Sequence, residues 1–143
     1  MSATGFLLDT NVVSEALRPR PNARVVAWLR AHEERAWLSV VTIGELEAGI
    51  RAAPDAHRAE GLRAWLDDVL IPQFAYRLLP VDLDVARRWG ETTASARAAG
   101  TPVGAVAALI GATAARHGLA VATRNVRDFE PLGVEVVDPW AGA

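Results

Sequence analysis

"GFLLDTNVVSEAL", residues 5–17, changes its periodicity halfway. "GFLLD" is a short apolar run ending in an acid and reads as a buried strand over 5–9. "TNVVSEAL" has helical spacing instead, and Pro19 and Pro21 stop it. The same alternation repeats outward from this point. "NARVVAWLRAHEE" sets Val25, Val26, Trp28 and Leu29 on one face of an amphipathic helix. "AWLSV" predicts a second strand, and "TIGELEAGIRAA" and "HRAEGLRAWLDDVLIPQF" two further helices. "YRLLPVD" predicts a third strand, followed by a helix over 83–99 and a break at Gly100, Thr101 and Pro102. "TPVGAVAALIGATAARHG" over 101–118 reads as an apolar helix, and "LAVATRN" and "VEVVD" as the fourth and fifth strands. Strands alternating with helices predict an α/β fold, a central parallel sheet with helices on both faces. Its 143 residues suffice for a single domain over 1–143.

Composition removes several classes of chemistry. Half the chain is hydrophobic, so a folded globule is expected rather than disorder. The net charge of −2 gives no bulk attraction to nucleic acid, so a polyanion site must be a local patch. There is no cysteine, which excludes disulfides, thiolate zinc sites and cysteine nucleophiles. All 15 basic residues are arginine, which removes the P-loop lysine, Schiff-base chemistry and any lysine base. It also argues against a response-regulator receiver, which relies on a lysine. "MSATGFLLDTN" lacks the charged start and long apolar run of a signal peptide, and no apolar stretch approaches a membrane span. The expectation is a soluble cytoplasmic protein.

In open α/β sheets, ligands gather outside the carboxyl ends of the strands. Asp9 follows the apolar run "FLL" at such an end, and Asn125 follows "AVATR" at another. Asp9 can be a metal ligand there or the N-cap of the next helix, a role Thr10 and Asn11 could also fill. Glu45 fits the capping box S/T-x-x-E, with Thr42 at N-cap and Glu45 at N3, close to the helix mouth where strand ends converge. Asp128 stands three residues after Asn125, at the start of a short helix that it can cap, or beside Arg124 and Arg127 as an ion-pair partner. Those arginines can instead hold phosphates, and Arg124 and Asn11 are the candidate substrate contacts. His32, His57 and His117 have no metal-ligand spacing and read as surface residues, while the five tryptophans read as core or interface. Carboxylates at one sheet edge, without cysteine or histidine, point to a hard cation, Mg2+ or Mn2+. Such ions serve phosphodiester cleavage by activated water.

In chain order, "LLDTNVVSE" (7–15), "LSVVTIGELEAGI" (38–50), "LIGATAARHGLAVATRN" (109–125) and "VVDPW" (136–140) resemble the PIN-domain family, specifically VapC-type toxins of bacterial toxin–antitoxin pairs. The resemblance implies an α/β/α sandwich around a parallel sheet and a Mg2+-dependent endoribonuclease, with structured RNA such as tRNA as its class of substrate. It also implies silencing by a VapB-like antitoxin, a homodimer, and a larger toxin–antitoxin assembly. Of the family's acidic positions, Asp9 matches the first and Glu45 the second, which makes them the expected metal ligands. The third opens a "D-A-L-I-A-A-T-A" stretch that here reads "AALIGATA", so Ala107 stands where aspartate is expected. The fourth is Asn125, with Asp128 as a nearby stand-in. Losing one carboxylate predicts a severely impaired nuclease. The competing expectation is a non-catalytic module that keeps antitoxin or RNA binding. A phosphatase for small phosphoesters is disfavoured because no D-x-D motif follows the first strand.

Overall fold

The computed structural model of the chain describes residues 4–141. Its strands are β1 (Phe6–Leu8), β2 (Ala36–Ser39), β3 (Leu78–Leu79), β4 (Ala120–Ala122) and β5 (Val136–Val137). Its helices are α1 (Thr10–Glu15), α2 (Ala23–His32), α3 (Val40–Ala52), α4 (Ala56–Trp65), α5 (Ile71–Gln73), α6 (Leu83–Ala98), α7 (Ala105–His117) and α8 (Val126–Phe129). A π-helical turn, Leu66–Leu70, joins α4 to α5 without a break. The strands form one sheet in the order β3-β2-β1-β4-β5, and every pairing is parallel.

Side chains along a strand point to alternate faces, so a sheet covered on both sides has two cores. Leu8, Leu38 and Ala122 face one, together with Val12, Val25, Ile50 and Phe74. Leu7 and Val121 face the other, together with Ile110, Ala114 and Phe129. Helices α1 to α5 therefore cover the first face, and α7 and α8 the second, with α6 packed along α7. The result is an α/β/α sandwich. Both leucines of β1 are at most 2% exposed, and burial of each such side chain stabilises the fold by roughly 1.5–3 kcal/mol. Val12 and Val13 belong to this core, so the apolar residues of α1 are packing residues.

The order of the strands creates the cleft. From β1 the chain builds outward through β2 and β3, then returns to add β4 on β1's other side. The carboxyl ends of β1 and β4 thus flank a topological switch point, where flanking loops part and leave a crevice. Asp9 directly follows β1, and Thr123 to Asn125 directly follow β4.

The structure departs from two sequence expectations. The strands are shorter than the apolar runs predict. The third spans only Leu78–Leu79, because Pro80 has no N–H to continue the ladder. The helix carrying Glu45 begins at Val40, with Ser39 as its N-cap accepting from the Val41 N–H at 3.0 Å. The capping box of Thr42 and Glu45 does not form. Ser39 ends β2 and caps immediately, so Thr42 is already inside the first turn, fully buried, with no partner for its hydroxyl. Glu45 lies a full turn into the helix. Among the described residues no helix is long and apolar enough to cross a membrane.

Candidate active site

Asp9 is the residue around which the crevice is built. It is 9% exposed and occupies the N-cap of α1 with extended backbone. Its Oδ1 accepts from the Thr10 N–H at 2.8 Å, and its Oδ2 accepts from the Thr123 hydroxyl at 2.7 Å. The Asn11 amide adds a longer contact to Oδ2 at 3.4 Å. A carboxylate has about four lone-pair sites, so Oδ2 is saturated and Oδ1 keeps one acceptor direction free. The capping reading of Asp9 therefore holds, and the same geometry leaves an acceptor direction of Oδ1 open.

Thr123 is the hub on the β4 side. It is fully buried, donates to Asp9 and accepts from the Asn125 N–H at 3.0 Å and the Asn11 amide at 3.4 Å. Asn11 in turn accepts from the Arg124 N–H at 3.2 Å. These bonds stitch the end of β1 to the end of β4 and fix the loop that carries Asn125. Thr123 carries no motif in the sequence, and Thr10 reads there only as a capping residue. The available signal was a hydroxyl closing an apolar strand, where a buried polar group needs a partner.

Glu45 reaches the same place from α3, half-buried, and its Oε1 accepts from the Thr10 hydroxyl at 2.5 Å. One cleft of about 590 Å³ is lined by Asp9, Asn11, Glu45, Asn125 and Asp128, and its far wall includes Ala107. Sequence residues spread over most of the chain are thus gathered at a single point. Ala107 is half-buried at the third position of α7, where Gly104 supplies no side-chain cap and the first turn holds no acid. An aspartate there would face the cleft and complement the helix dipole.

The remaining candidates are less tied into this network. Asp128 is exposed in the first turn of α8, and it forms neither a cap nor an ion pair among the described residues, because Asn125 takes the N-cap position. Arg124 is exposed outside the cleft lining, its guanidinium 5.3 Å from the centroid of the Trp140 ring. Of the histidines only His57 is exposed. His32 stacks on Trp28 at 4.4 Å, and His117 is half-buried with an unpartnered Nε2. The five tryptophans are all half-buried.

The donor set is oxygen-rich and holds neither histidine nor cysteine. Among the described residues, no group of three or more His, Cys, Asp or Glu side chains could hold a metal ion. What is present suits a hard cation held by one or two carboxylates with water completing its shell.

Residues 6–133 match the PIN domain family. The chain is 38% identical to the VapC ribonuclease Y4jK of Sinorhizobium fredii, over 96% of this chain and 99% of that one. It is 41% identical to the toxin FitB of Neisseria gonorrhoeae, over 94% and 98%. The crystal structure of FitAcB from Neisseria gonorrhoeae superposes with a TM-score of 0.89 at 40% identity, covering 94% of this chain and 98% of that one.

Proposed function

This chain belongs to the PIN-domain family, in its VapC and FitB branch, and from that premise we propose that it is a toxin-class endoribonuclease impaired at its metal site. The observation that carries the reading is the convergence of Asp9, Glu45, Asn125 and Asp128 on one cleft at the switch point between β1 and β4.

Asp9 and Glu45 would hold Mg2+ or Mn2+, Asp9 through its open Oδ1 and Glu45 through Oε2, which accepts no hydrogen bond among the described residues. When bound, the ion supplies Lewis-acid polarisation of a phosphoryl oxygen and lowers the pKa of bound water. The protein's own groups do the rest. Asn125 offers an amide that can donate to a phosphate oxygen without adding negative charge. Arg124, exposed beside Asn125, offers a guanidinium to the RNA backbone. Thr123 and Asn11 hold the two strand ends at fixed separation, so substrate meets a preorganised site.

Ala107 sets the level of activity. A methyl stands where a third carboxylate would face the cleft. Loss of one preorganised electrostatic group lowers a rate by roughly 10²–10³. The partners of the reading are a VapB-like antitoxin, an RNA substrate of the tRNA class, and a second copy of the chain. A second reading, a binding module without catalysis, is favoured by one observation, the lack of any three-acid metal cluster among the described residues.

The test is Mg2+-dependent cleavage of total tRNA by the Ala107→Asp chain and its Asp9→Asn derivative. The nuclease reading expects cleavage that Asp9→Asn abolishes. Absence of cleavage by a folded Ala107→Asp chain favours the binding module.

A further inference from the structure

Asp9 and Glu45 sit on different elements, yet one residue touches both. Thr10, the first residue of α1, donates its backbone N–H to Asp9 Oδ1 at 2.8 Å and its hydroxyl to Glu45 Oε1 at 2.5 Å, 35 positions away in the chain. Nothing else among the described residues hydrogen-bonds the Glu45 carboxylate, whereas Asp9 has two further donors. Glu45 is half-buried on a long side chain with three rotatable bonds, so its direction into the cleft depends on that single hydroxyl. Thr10 is itself stiff. Its β-branch restricts χ1, and its backbone is fixed by the helix that Asp9 caps.

We propose that Thr10 is a positioning residue that sets the relative geometry of the two carboxylates toward a divalent cation. The N–H occupies one acceptor direction of Asp9 Oδ1 and leaves another free. The hydroxyl occupies Glu45 Oε1 and leaves Oε2 free. Two open oxygens from separate elements are thereby presented to the same cleft. This inference rests on the metal reading given above. A residue that orients a ligand in this way typically carries a 10–100-fold effect on metal affinity when removed.

The experiment titrates Mn2+ into the Ala107→Asp chain and into its Thr10→Val and Thr10→Ser derivatives, with metal-free thermal midpoints recorded for all three. Valine keeps the shape and the N–H and loses the hydroxyl; serine keeps the hydroxyl and loses the methyl. The expected result is Mn2+ binding roughly 10–100-fold weaker in Thr10→Val, near-parental binding in Thr10→Ser, and midpoints that do not track affinity. Parental affinity in Thr10→Val overturns the role of Thr10 and leaves the metal reading standing. Equal loss in both variants also overturns it, because the hydroxyl is then not the operative group. No Mn2+ binding by the Ala107→Asp chain itself overturns the metal reading and the role drawn from it together.

Discussion

The Thr123 hydroxyl and the Asp9 carboxylate, 114 positions apart, meet in a buried hydrogen bond of 2.7 Å that joins the ends of β4 and β1. That bond lies at the point where the sheet reverses its strand order, so it serves the fold and the cleft at once. Replacing Thr123 with valine keeps the volume and leaves a buried acid short of its strongest donor. An unmade hydrogen bond to a buried group costs about 1–3 kcal/mol. Urea unfolding should show a loss of that size for Thr123→Val and a smaller one for Thr123→Ser. Equal losses would contradict the hydroxyl's role.

Two glycines should respond differently to the same substitution. A Cβ at Gly5 would stand 2.6 Å from the Arg35 carbonyl oxygen, a backbone atom fixed at the start of β2. A Cβ at Gly111 would stand 2.7 Å from Leu132 Cδ1, the movable tip of a side chain. Gly111→Ala also gains about 1 kcal/mol of helix propensity. Gly5→Ala is therefore expected to destabilise by about 1–3 kcal/mol, and Gly111→Ala to be close to neutral. Thermal unfolding of the pair measures this, and a larger loss at Gly111 would reverse the reading.

Glu47 and Arg63 clamp α3 to α4 through a two-pronged contact, with Arg51 as a third partner at 2.8 Å. Hydrogen bonding from Arg63, opposed by desolvation and aided by Arg51, holds the Glu47 carboxyl down from 4.5 to about 2. A depressed carboxylate contributes stability in full above its unfolded value and loses it as pH falls. The contribution of the clamp should thus fade between pH 4.5 and about 2. Both side chains are about one-third exposed, so solvent screens the pair and keeps its contribution modest. NMR titration of Arg63→Met should show Glu47 titrating nearer 4.5, with a shallower acid limb of stability. An unmoved titration would refute the assigned cause.

Arg124, one residue before the cleft-lining Asn125, holds its guanidinium over Trp140 and makes no ion pair among the described residues. In the proposed nuclease reading it would meet an RNA phosphate. In the Ala107→Asp chain, Arg124→Ala should weaken RNA binding with little change in the chemical step. The salt dependence of binding should lose a slope of about 1. An unchanged slope would place Arg124 outside the RNA interface.

The order of strands and helices was legible in the sequence because each strand is a short apolar run and each helix an apolar stripe. Leu7 and Leu8 feed opposite cores, so "FLL" had to be continuous rather than alternating. Asp9 and Asn125 were legible as polar residues that close apolar segments at one sheet edge, whereas Glu45 stood out through a capping box that does not form and through the family resemblance. The rest depended on which of several equivalent groups won a contact. Ser39 outcompeted Thr42 for the cap because it stood at the strand end, a boundary the pattern leaves uncertain by a turn. Thr10 and Thr123 carry no motif of their own. Their importance comes from partners brought close only by folding.

Ala107 stands in the wall of the cleft, and a carboxylate at that position is proposed to complete a divalent-cation site. The direct measurement compares Mg2+-dependent cleavage of total tRNA by the chain and by its Ala107→Asp variant, at matched folding and metal concentration. The variant should cleave at least roughly 10²-fold faster than the parent, and the gain should be lost on chelation of the metal. Equal rates in the two proteins would contradict it.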